Sequence, residues 1–141
     1  MKSLKILLII LGITAFTSMG NVFAYYPIQS LAGMRVPAHN GSVSTSIKNV
    51  PEYAVGSDQI VNNVSISPSG DTLDIRVRKY NANNAVVKNG AWKILKTGSK
   101  TVLSSGDLDF NFDGSRIQVQ IDSRWYYTDT TIINSGMWAY E

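Results

Sequence analysis

Cysteine is missing altogether from the 141 residues, and histidine occurs once, at His39. The first absence excludes disulfide support, cysteine nucleophiles and lipid attachment through a processed N-terminal cysteine. The two together exclude zinc sites built from clustered His and Cys. Any Ser-His-Asp arrangement must use His39, which lies in a Pro- and Gly-punctuated stretch beside a turn, and no G-x-S-x-G elbow occurs elsewhere. Phosphate-cradling glycine loops are also absent. Strand carboxylates such as Asp74 and Asp122 alternate with apolar residues as ordinary outward positions, not as an acid-base pair. The reading that follows is a non-enzymatic chain.

Long apolar runs are scarce as well. The longest, Ile6 to Phe16, follows Lys2 and Lys5 and precedes Val22-Phe23-Ala24. Eleven residues in a helix reach roughly 16 Å, about half of a ~30 Å hydrocarbon core. A positive start, a short apolar centre and small residues before a cut describe a secretory signal peptide, with cleavage expected between Ala24 and Tyr25. The expected mature chain is therefore secreted, with no stable membrane insertion once the leader is removed. Removing 24 of the 141 residues leaves 117, enough for one unaided core.

Excess charge is lacking too. The chain has 13 basic and 10 acidic residues, and loss of Lys2 and Lys5 leaves 11 against 10. Near-neutral balance gives no broad attraction for nucleic acid or anionic membrane. The local cluster Arg76-Val77-Arg78-Lys79 is accounted for by a solvated strand face. A Cys-free exported chain rich in Asn and Ser suits a bacterial exoprotein.

What is present is two-residue alternation. Leu73, Ile75 and Val77 alternate with Asp74, Arg76 and Arg78; Ile117, Val119 and Ile121 alternate with Arg116, Gln118, Gln120 and Asp122. Leu108, Phe110 and Phe112 do the same among Asp107, Asp109, Asn111 and Asp113. Such rows suit strands wet on one side. No helix-period stripe follows the leader. Residues 25–41 read as an irregular N-terminal segment, and 42–141 as one all-β domain. Strands are expected near 43–48, 59–67, 72–80, 101–104, 124–133 and 136–140 among roughly eight to ten in total. Asn89-Gly90 reads as a two-residue hairpin turn between Ala85-Val86-Val87 and Trp92-Lys93-Ile94-Leu95. Pro68 fits a turn. A single antiparallel β-sandwich of hairpin-linked strands is the expected fold, with a small β-barrel as the alternative.

Two candidate sites emerge. Asp109-Phe110-Asn111-Phe112-Asp113-Gly114 satisfies the opening of an EF-hand loop, but its twelfth position is Gln120 and its flanks are strand-like. A hairpin with an acidic outer row explains it better, leaving a weak Ca²⁺ site at Asp107, Asp109, Asn111 and Asp113. The second candidate is aromatic: Trp125, Tyr126, Tyr127, Trp138 and Tyr140. Neighbours on a strand face opposite sides, so Trp125-Tyr126-Tyr127 cannot all enter the core. The plainer account has Trp92 and Trp125 filling the core. Exposed rings would instead contact a cell-envelope component or another protein. The expectation is a secreted binding or interaction domain; the alternative is a bacteriocin-like antagonist of competing cells.

Overall fold

A computed structural model describes residues 26–141; the expected leader, 1–24, lies outside them. Eleven strands follow in order: β1 (Tyr26–Ser30), β2 (Arg35–Val36), β3 (Ser42–Ser44), β4 (Lys48–Asn49), β5 (Gln59–Ser67), β6 (Leu73–Tyr80), β7 (Val86–Asn89), β8 (Lys93–Leu95), β9 (Thr101–Ser104), β10 (Arg116–Asp122) and β11 (Thr131–Tyr140). A single 3-10 turn, Glu52–Ala54, lies between β4 and β5. No helix among the described residues is long and apolar enough to cross a membrane.

The strands form two antiparallel sheets packed face to face, a β-sandwich and not a closed barrel. The first sheet runs β1-β11-β5-β9, with β2 continuing the β1 edge along β11. The second runs β3-β10-β6-β7, with β4 continuing β3 and β8 continuing β7. The two alternating segments of the sequence are the central pair of the second sheet, β6 and β10, in register from Arg116↔Tyr80 to Asp122↔Asp74. Their apolar rows are fully buried, as period two requires when one face meets the opposite sheet. From the first sheet, Val61, Val64, Ile66, Ile133 and Trp138 complete that core. Asn63, with φ of 54°, marks the register shift in β5 that carries its inward set from Val61 to Val64 and Ile66.

Several expectations are corrected. Segment 25–41 is not merely irregular: it supplies β1 and β2, which pair with β11 at the edge of the first sheet. Residues 105–115 form turns instead of a strand, so only Phe110 of its three apolar residues is buried, while Leu108 and Phe112 are exposed. Asn89-Gly90 is not a hairpin turn. β7 and β8 both run antiparallel to β6 as one interrupted edge, and the reversal lies at 81–85. Gly90 sits in that interruption, donating its N–H to the Val77 carbonyl (2.8 Å). A Cβ there would fall 2.9 Å from that oxygen, which is why glycine is required. Residues 124–130 are loop, and β11 is a single strand of 10 residues where two were expected.

Candidate functional site

The aromatic candidates divide between two places. Trp138 and Tyr140 lie on β11 and are buried, Trp138 at 0% exposure. They belong to the core, which corrects the surface role expected of them. Trp125 and Tyr126 are 71% and 56% exposed, and Trp92 is exposed as well, so the expectation that Trp92 and Trp125 fill the core is also overturned. The physical reason is the loop: once 124–130 leaves the sheet, strand alternation no longer assigns a ring inward.

That loop joins β10 to β11 across the end of the sandwich, and it is held firmly. The Ser123 N–H donates to the Gly41 carbonyl (2.9 Å), the Gly41 N–H to Ser123 Oγ (3.0 Å), and Ser123 Oγ–H to the Pro37 carbonyl (2.5 Å). The His39 N–H donates to the Tyr127 carbonyl (3.1 Å). Both His39 and Asn40 take positive φ, turning the chain sharply enough for this backbone zipper. Gly41 is packed so closely that a Cβ would lie 2.2 Å from the Pro37 oxygen. On the other side, Tyr127 Oη accepts the Thr72 N–H (2.8 Å), and Arg124 Nη1 lies 3.1 Å from Asp74 Oδ2.

The rings themselves form a ladder. Trp125 and Tyr126 meet edge to face at 5.6 Å, and Tyr126 and Tyr127 at 5.0 Å. Such T-shaped pairs are the favoured geometry of aromatic quadrupoles. Beside Tyr126 and Tyr127, a shallow cleft of about 140 Å³ is lined by Pro68, Asp71, Thr128 and Asp129. Asp71 Oδ2 accepts the Thr131 hydroxyl (3.1 Å), fixing one carboxylate at the rim. The arrangement offers rigid apolar rings beside acceptors, able to stack on one face of a ligand and bind hydroxyls along its edge.

His39 does not assemble a nucleophile. Its Nδ1 lies 3.3 Å from the Trp125 carbonyl oxygen, and among the described residues no serine or carboxylate side chain hydrogen-bonds to its ring. The calcium candidate is also dispersed. Asn111 is fully buried; its Oδ1 accepts Gln59 Nε2 (2.5 Å) and its Nδ2 donates to the Ser57 carbonyl. Asp109 pairs with Lys88, and Asp107 Oδ1 accepts the Asp109 N–H (2.8 Å). Lys88 holds the Asp109 carboxyl below its ordinary range through their hydrogen bond and charge. Among the described residues no group of three or more His, Cys, Asp or Glu gathers to hold a metal. Asp107, Asp109, Asn111 and Asp113 therefore do not form a ligand set: the Asn111 amide is spent inside the core and Asp109 is paired with Lys88.

Alternation could not reveal Asn111's role. Gln59 Oε1 accepts the Trp138 indole N–H (3.1 Å), so Trp138, Gln59, Asn111 and Ser57 form one buried polar chain from the first sheet to the 105–115 turns. The cleft residues Asp71 and Asp129 were likewise missed. They lie far apart in sequence, and only the end of the sandwich brings them together.

No protein-family model matches the chain, and none of the curated proteins is similar to it. Among solved structures it is similar to PirA (15% identity, covering 79% of this chain and 93% of that chain, TM-score 0.46). Similarity extends to the infectious bursal disease virus Gx strain (14%, 82% and 31%, 0.46). A third is the isomalto-dextranase of Arthrobacter globiformis T6 complexed with panose (15%, 70% and 16%, 0.37). Likenesses this distant bear on neither ligand nor activity.

Proposed function

We propose that the protein is a secreted, non-enzymatic binding domain that contacts a cell-envelope glycan through the loop 123–130. The observation that carries this reading is the Trp125-Tyr126-Tyr127 ladder: two largely exposed rings on a loop zippered to 37–41 and anchored to Thr72. Exposed aromatics cost an isolated domain solubility, and a rigid loop costs little further entropy on binding. Rings stacked beside the Asp71 and Asp129 carboxylates suit a sugar, which presents an apolar face and a hydroxyl-bearing edge.

Sedimentation of the purified protein with washed envelope material tests the reading. Trp125→Ala combined with Tyr126→Ala should lower retention by roughly tenfold, the loss of about 1.4 kcal/mol or more of contact at a hot spot. Melting temperature should stay within a degree or two, because neither ring is in the core. Retention unchanged by the double substitution would remove the proposal.

A further inference from the structure

The second sheet carries a different kind of site on its outer face. Arg76 and Arg78 are two residues apart on β6, about 7 Å along one face. The Arg76 guanidinium stands 4.2 Å from the centre of the Trp92 ring, and that of Arg78 stands 5.8 Å from the centre of the Tyr80 ring. Across the ladder lie Gln120 and Gln118. Gln120 Oε1 accepts Arg76 Nε (3.0 Å), but Gln118 Oε1 is taken by the Tyr80 hydroxyl. Arg78 Nε is left buried with no acceptor.

Nearby acids make no ion pair with either arginine, although the Asp122 charge acts on Arg76 from a distance. Asp74 pairs with Arg124, and Asp122 Oδ1 accepts the Ser42 hydroxyl (2.6 Å) and Gln120 Nε2 (3.0 Å). Among the described residues neither Arg76 nor Arg78 has a carboxylate within ion-pair distance. Two like charges therefore stand side by side. Desolvation first, and the Arg78 charge second, lower the pKa of Arg76. A guanidinium resting on an aromatic ring is pre-organised, and its fork of donors matches an oxyanion with two equivalent oxygens.

We infer that Arg76 and Arg78, seated on Trp92 and Tyr80, form a binding site for a polymer-borne oxyanion, a phosphodiester or a carboxylate. The site lies on the sheet face, uses no residue of the 123–130 loop, and stands without the Trp125 contact. The bound anion offsets the repulsion between the two cations. A two-arginine site on a near-neutral surface suits a spaced anion on an envelope polymer. It does not suit nucleic acid, whose charge density rewards a long basic track.

The test measures binding of the purified protein to poly(glycerol phosphate), to polygalacturonate and to single-stranded DNA, at low salt and at 0.5 M salt, taken as roughly the level that screens exposed charges. Binding to one of the first two is expected; which one identifies the anion. Arg76→Gln with Arg78→Gln should weaken it by roughly tenfold or more, since each charged hydrogen bond lost is worth about that factor. Trp125→Ala should leave it unchanged, which separates this site from the loop contact. If the double variant folds poorly, the native protein still decides: binding should fall steeply as salt rises. Absence of binding to both polymers, insensitivity to salt, or equal binding by a folded double variant would overturn the assignment. DNA bound as tightly as either polymer would overturn it too.

Discussion

Trp125 and Trp138 look alike in the sequence and have opposite roles. Trp138→Ala empties a fully buried volume and strips Gln59 of its indole donor, so it should cost about 3–5 kcal/mol, read from chemical denaturation. Trp125→Ala, on an exposed ring, should stay within about 0.5 kcal/mol. Equal losses would mean that the loop ladder supports the fold. Tyr140 gives a pH prediction. Burial, and after it the neighbouring Tyr53, push its phenol from 10.0 up to about 12. The neutral phenol is favoured in the folded state, so this contribution is complete below pH 10 and is lost as pH rises toward 12. Melting temperature should fall across that window, and Tyr140→Phe should flatten the fall. Because the Tyr140 hydroxyl is buried without a partner, Phe should not reduce stability at neutral pH. A fall as steep in the variant would assign the alkaline limb to other groups. The motif at 109–114 shows where residue type misleads: Asn111 fits a calcium ligand by spacing, yet its amide is consumed inside the protein.

Strand identity was readable wherever one face is wet and the other packed. The alternation in β6 and β10 located both, and β5 and β9 lie where turn residues bracketed them. How edge segments join was not readable. β3 with β4, and β7 with β8, are single edges broken in the middle, and an edge needs only a few ladder bonds to hold its place. Asn89-Gly90 has the composition of a turn, but pairing with β6 on both sides makes it an interruption. Glycine substitutions test this. Gly90→Ala should cost about 1–3 kcal/mol by forcing a Cβ against the Val77 carbonyl. Gly136→Ala, in β11, meets nothing nearer than 3.6 Å and should be neutral or stabilising by up to about 1 kcal/mol. Similar losses from both, measured by denaturant titration, would contradict the packing described.

At the scale of the whole molecule, β1 pairs with β11, so residues near the two ends of the described chain lie side by side in one sheet. The buried chain from Trp138 through Gln59 to Asn111 ties that sheet to the turns beyond β9, and the apolar core joins both sheets. One cooperative unfolding transition is expected, with far-ultraviolet circular dichroism and tryptophan fluorescence giving the same midpoint. Separated midpoints would show that the sheets unfold independently. Composition and two-residue periodicity were sufficient for an all-β chain, for the central strands and for a core without disulfides, because burial of every second side chain is a local rule. Which aromatics face outward, which acid meets which base, and which amide is spent in the core depend on residues distant in sequence. Folding alone brings them together: the 37–41 and 123–130 loops close one end of the sandwich, and β6 sets Arg76 against the face of Trp92.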